Sequence, residues 1–362
     1  YVQRNTRLPI GNAPANHRLA PDFQLMACGQ HLPPGFAGAS SKHCPFVRLT
    51  GPFASSIYQE QAHVVETKPP LNQVDHLLET LERAHSSSGN RKPVLAVGRD
   101  GITLREYRHR FFEVATAATV SIYDRAGKRL ATIYLAWPPE LGQATMDRML
   151  TDLLTQLLDR WQGPLPQLAY VADCGGNEST YYRKTLSRMV HPRTGKPLSW
   201  QRVVDYYHVS ERIWAMAAAL FGKDTQEATA WAHRMLKALK KTSGPSRVLH
   251  SAASHFHRRQ LSNQRAKDFW KAYRYIQQRT VFLRYHDYAA RHIPLGSGVT
   301  EAACKTIFTQ RLKLSGMRWS RDGAKTILRL RVILLSKTWL STFQGYLRDR
   351  YPTNLRPYAP PS

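Results

Sequence analysis

Acidic side chains are scarce in this chain of 362 residues: 25 Asp and Glu stand against 52 Lys and Arg, a formal charge of +27. A compact protein with that excess repels itself, and a polyanionic partner is the usual compensation. Long apolar runs are missing too. No stretch approaches the roughly 18 residues that a membrane span needs. The bases are spread along the chain, not gathered in one amphipathic helix or polybasic tail, which argues for nucleic acid over an anionic membrane surface. Cysteine is sparse as well. Cys28, Cys44, Cys174 and Cys304 are too few and too scattered for a disulfide framework, and they fit a reducing cytoplasm. No internal repeat is evident. What is present suffices for a packed core, since 42% of the residues are hydrophobic and the length suits two domains or one decorated domain.

Residues 1–90 form an N-terminal region, partly irregular, in which a DNA-binding module could sit. Within it Cys28, His31, His43 and Cys44 offer donors for a structural zinc. The adjacent His43-Cys44 pair is not a usual finger half, so small buried or surface residues are the plainer reading. Val74, Leu77, Leu78 and Leu81 then set a helical period over Leu71–His85, and Ser86–Pro93 reads as a linker. Strand patterns follow at Val94–Val97, Phe112–Tyr123 and Arg129–Trp137, the last two joined by an Asp124-Arg-Ala-Gly127 turn. Ala144–Trp161 has helical periodicity and fits a crossover. Leu168–Val171 and Arg202–Val204 complete five strands. Asp100 and Asp173 fall at the ends of the first and fourth.

The first part of the expected core is 91–211. An all-helical insertion, 212–290, comes next, with helices over Val209–Phe221, Thr225–Lys241 and Arg265–Thr280. The core resumes at 291–320. One long helix, Asp322–Arg348, and a Pro-rich tail fill 321–362.

The most informative stretch is Ile293-Pro-Leu-Gly-Ser-Gly-Val-Thr-Glu-Ala-Ala-Cys-Lys305, running on to Trp319. Pro294, Gly296 and Gly298 mark a tight loop, Ser297 is a suitable N-cap, and Glu301 sits in the first helical turn. Taken alone, Glu301 could simply complement the helix dipole. Lys305, Arg311, Lys313 and Arg318 follow, interleaved with Phe308, Leu312, Leu314 and Trp319. The cations are candidates for DNA phosphates and Trp319 for stacking on an unpaired base; solvated charge and core aromatic are the plainer alternatives.

Four segments appear in order: Val-Gly-Arg-Asp100-Gly, Tyr-Val-Ala-Asp173-Cys-Gly, Val-Val-Asp205-Tyr-Tyr-His208 and Leu-Gly-Ser-Gly-Val-Thr-Glu301. Together they resemble bacterial insertion-sequence transposases of the DDE type, and Asp205-x-x-His208 resembles the corresponding motif of Mutator-like and hAT-like transposases. The resemblance covers roughly residues 92–345. Arg99 and Cys174-Gly175-Gly176 depart from the wording the family suggests. The resemblance implies an α/β fold, an RNase H-like mixed sheet with an all-helical insertion before the last catalytic helix. It also implies Asp100, Asp173 and Glu301 as ligands of two Mg²⁺ or Mn²⁺ ions, double-stranded DNA as substrate, and a homodimer or larger assembly.

Such a site suits phosphodiester chemistry, because two cations about 3.5–4 Å apart stabilise both the attacking and the leaving oxygen. Asp205 either orients His208 or caps the following helix, and it is an alternative to Asp173 as second metal ligand. Trp214 and Trp231, in the insertion, are either core or a platform for a flipped base. A binding-only descendant and a structure-selective nuclease with the same core are the alternative functions.

Overall fold

The computed structural model describes residues 71–105, 112–313 and 320–350, all within one compact unit. The Cys28, His31, His43 and Cys44 set lies outside them. The architecture is mixed α/β, built on a five-stranded mixed sheet of order β3-β2-β1-β4-β5. The strands are β1 (Val94–Arg105), β2 (Phe112–Tyr123), β3 (Arg129–Trp137), β4 (Gln167–Ala172) and β5 (Trp200–Val204). β1, β2 and β3 form an antiparallel meander, while β4 and β5 run parallel to β1. The tight turn between β2 and β3 is tied by Asp124, whose carboxylate accepts from the backbone N–H of Ala126 and Lys128.

Period-two alternation divides the sheet's side chains between two layers. Leu95, Val97, Val120, Ile122, Leu168 and Tyr170 pack on one face with α1 (Leu71–His85) and α2 (Ala144–Arg160). Val94, Ala96, Ala169, Val171 and Val203 pack on the other with the helical insertion. That insertion holds α4 (Tyr206–Phe221), α5 (Gln226–Leu239), α6 (Gly244–His257), α7 (Asn263–Gln277) and the short α8 (Tyr285–Ala290). Before it, α3 (Gly176–Lys184) follows β4. After it, α9 (Gly298–Cys304) continues through a π-helical turn, Lys305–Thr309, and a last α turn, Gln310–Leu312. α9, the π turn and α10 (Arg321–Leu335) cover Leu104, Ala115, Ala117 and Ala136. α11 (Trp339–Arg350) ends the described chain.

Several elements differ from the sequence reading. β1 does not stop at Gly98. Its ladder with β2 continues to Arg105, which pairs the backbone polar groups that the glycines would otherwise leave bare. Helices that the sequence reading did not place start at Gly176 and at Gly244-Pro245; proline near a helix start loses no intrahelical bond. The expected long C-terminal helix is two. Lys337 takes a left-handed conformation (φ 59°), and Lys337 and Thr338 donate their N–H groups to Leu334 and Ile333 in a closing turn. Ser336, buried at the break, accepts from the Tyr134 N–H on β3 and so docks α10 to the sheet. Among the described residues no helix is long and apolar enough to cross a membrane.

Candidate active site

Asp100 and Asp173 reach one face of the sheet for a simple reason. The parallel pairing of β1 with β4 ends at Gly98 and Val171, and each aspartate stands two residues further on, in phase with that pair. Asp100 remains inside the β1–β2 ladder, opposite Ala117. Asp173 lies just past β4, its carboxylate accepting from the Gly175 N–H at 2.9 Å.

α9 brings the third acid. A Cβ on Gly98 would fall 2.0 Å from Thr300 Oγ1, so only glycine lets α9 sit this close to β1. Thr300 and Thr119 share a buried hydroxyl bond of 2.8 Å at the same point. Glu301 is the next residue, and Cys304 lies one turn on. The Cys304 thiol bonds to Asp100, and burial with that carboxylate beside it pushes the thiol well up.

The Asp100 carboxyl is raised above the usual range. Burial is the main cause; the Gly101 N–H and the Cys304 thiol oppose it, and Asp173 and Glu301 add to it. The three expected acids are therefore electrostatic neighbours. A fourth joins them, which the sequence reading missed. Glu178, in the first turn of α3, is only 8% exposed, and its carboxyl is raised chiefly by burial, with Asp173 and Asp100 contributing. A Cβ on Gly175 would lie 2.4 Å from Glu178 Oε2 and 3.4 Å from Asp173 Oδ1, so both carboxylates line one small space. The available signal was an acid one turn into a helix that the two glycines disguised as a loop.

Asp205 is fully buried, and its four bonds define its role. Oδ1 accepts from the backbone N–H groups of Tyr207 (2.6 Å) and His208 (3.1 Å), capping α4. Oδ2 accepts from the Ser297 N–H and, at 2.8 Å, from the Ser297 hydroxyl. The bond to His208 is thus to its backbone, not to its imidazole. The imidazole instead has Nε2 3.9 Å from Asp173 Oδ2 and Nδ1 3.9 Å from Glu211 Oε2. Ser297 does not cap α9 through its hydroxyl, which also approaches Glu301 Oε1 at 3.0 Å. One hydroxyl proton faces two carboxylates, so Ser297 couples Asp205 to Glu301.

The donor atoms of Asp205, His208 and Glu301 lie within 4.8 Å of one another, a set that could hold a metal ion; of the expected ligands Asp100, Asp173 and Glu301, only Glu301 belongs to it. Asp205 is the least available of the three, because all four of its lone-pair directions are already bonded. Glu301 is exposed and free to ligate. Among the described residues, no lysine or arginine pairs with Asp100, Asp173 or Glu301. The uncompensated carboxylates fit a hard divalent cation, whose preferred donors are oxygens.

No protein-family model matches the chain, and no curated protein matches it. The residues around the site carry the argument alone.

Lys305 and Lys313 are exposed, while Phe308 and Leu312 are buried against β2 and α10, so Phe308 belongs to the core. Arg318 and Trp319 lie outside the described residues, as does the Arg311 side chain. Trp231 is fully buried and donates its indole N–H to Ser251; Trp214 is 38% exposed, edge-on to His233.

Proposed function

We propose that this protein is a metal-dependent polynucleotidyl transferase of the DDE type, a transposase that cuts DNA and joins the released end to a target. The observation that supports the reading is that Asp100 and Asp173 stand in phase at neighbouring strand positions of a sheet ordered β3-β2-β1-β4-β5, with Glu301 of α9 as an electrostatic neighbour of Asp100. That strand order, with helices on both faces, is compatible with the RNase H-like fold that the resemblance implies. The net charge of +27 supports a nucleic-acid substrate. By the family resemblance the partners are paired ends of double-stranded DNA, held by a dimer or larger assembly.

Asp100, Asp173 and Glu301 would hold Mg²⁺ or Mn²⁺, which supplies Lewis-acid stabilisation of the attacking and leaving oxygens. The chain's own contribution is positioning. Thr300 against Gly98 fixes the depth of α9, and Ser297 on Asp205 fixes its start, so Glu301 is oriented before substrate arrives. His208, with Nε2 3.9 Å from Asp173 Oδ2, would be the residue to accept or return a proton if the scissile phosphate sits against Asp173.

The test is Mg²⁺-dependent cleavage and strand transfer on DNA carrying the element's own ends, comparing the intact chain with Glu301→Gln. The expected result is a loss of at least about 10³-fold in both steps with DNA binding retained. Cleavage without joined products would make the protein a nuclease. Binding without any cleavage by the intact chain would make it a binding-only descendant.

A further inference from the structure

The insertion side of the acid site carries arginines laid on aromatic rings. Tyr275, on α7, donates its hydroxyl to the Asp173 carbonyl at 2.8 Å, which fixes its ring beside the end of β4. The guanidinium carbon of Arg279 stands 4.0 Å from that ring's centroid, and that of Arg212 stands 4.9 Å away. Arg212 is one turn beyond His208 on α4, hence on the same helical face. Arg279 also donates to the Tyr275 carbonyl at 3.1 Å. Neither arginine pairs with a carboxylate among the described residues, and Arg212 Nε is buried without a hydrogen-bond partner.

A phosphodiester approaching Asp100, Asp173, Glu178 and Glu301 is repelled by each of them. A guanidinium matches a phosphate with two parallel donors, and stacking on a ring orients it in advance. Here two guanidiniums are stacked on a ring that is tied to the Asp173 main chain, and neither pairs with an acid among the described residues. We propose that Arg212 and Arg279, stacked on Tyr275, form a phosphodiester-binding site for a nucleic-acid strand beside Asp173. This deepens the reading of the acids as a strand-cleaving site, and it is tested without cleavage.

The experiment is a fluorescence-anisotropy titration of the full chain with a labelled duplex DNA oligonucleotide, in EDTA, over a series of salt concentrations. Each phosphate contact contributes about 0.9 to the slope of log affinity against log salt. Arg212→Gln with Arg279→Gln is expected to lower the slope by about 1.8. Arg212→Lys with Arg279→Lys keeps both charges but not the planar fork, so the slope stays and affinity falls by about tenfold. An unchanged slope in the Gln pair overturns the site. If the Gln pair does not fold, parental affinity in the Lys pair overturns it. Cleavage and salt slope are separate readouts, so failure of the transferase reading and failure of this site are distinguishable.

Discussion

Arg99 and Asp100 are neighbours on β1, face opposite sides of the sheet and meet opposite treatment. Arg99 is 1% exposed and surrounded by partners: Asp147 at 2.5 Å, Gln143 Oε1 at 2.6 Å and the Tyr181 ring at 5.0 Å. Burial still outweighs the guanidinium at Asp147, whose carboxyl is raised. Asp100 has no cation among the described residues, only a backbone N–H, a thiol and other acids. A buried charge that is matched within the fold is a structural anchor; one that is left unmatched beside like charges implies something bound from outside. The two sides of one strand thus separate what holds the sheet from what the sheet presents.

The largest expected effect breaks the matched side. Arg99→Ala leaves Asp147 beside Tyr181 without its guanidinium and empties a buried volume. A loss of about 3 kcal/mol is expected, at the lower end for broken buried pairs because Asp147 is partly open to water. Urea unfolding measures it. A loss below about 1 kcal/mol would show that Arg99 is not an anchor, and the contrast with Asp100 would collapse.

An intermediate effect sharpens the boundary between the two sides. Gly98→Ala drives a methyl into Thr300 Oγ1, and overpacking of this kind costs about 1–3 kcal/mol. It should also reduce cleavage more than stability, since Glu301 moves with α9. Adding Thr300→Ala removes the clashing oxygen and should restore part of both. Failure of that second substitution to restore anything would place the fault in the β1 backbone, not in the seating of α9.

Strand and helix positions were legible wherever hydrophobic period and burial agree, as in β2, β3 and α2. They were not legible where glycine serves packing. Gly98 was left outside the first strand because the apolar run stops there; its use is to admit Thr300, a contact 202 residues away in the chain that no local pattern reveals. The acids Asp100, Asp173 and Glu301 stood out through their motif settings. Glu178 did not, because its helix begins with two glycines. Ser297 was read as a local cap, and Asp205 as a cap, a partner of His208 or a metal ligand. Asp205 is a cap, but the Asp205–Ser297–Glu301 chain joins two segments 92 residues apart and needed coordinates to be seen. Arg212, Tyr275 and Arg279 look in sequence like any basic amphipathic helix surface, since stacking partners from α4 and α7 meet only after the insertion folds.

The smallest expected effect tests the unmatched side directly. Burial, Asp173 and Glu301 hold the Asp100 carboxyl above its ordinary range, so the folded protein keeps a proton that the unfolded chain has already released. Stability contributed by this group is present at low pH, declines as pH rises through the usual carboxylate range to the raised value, and stays reduced at neutrality. Asp100→Asn removes that ionisation. In EDTA at pH 7 it should raise the unfolding temperature, on the order of 2 °C, while abolishing cleavage. Added Mg²⁺ should then stabilise the parent and leave the variant unmoved, because a ligand stabilises only the form that binds it. Thermal unfolding with and without the cation decides. A lower unfolding temperature for the variant in EDTA would mean that the bonds from Gly101 and Cys304 outweigh the repulsion, and Asp100 would then be an anchor of the same kind as Arg99.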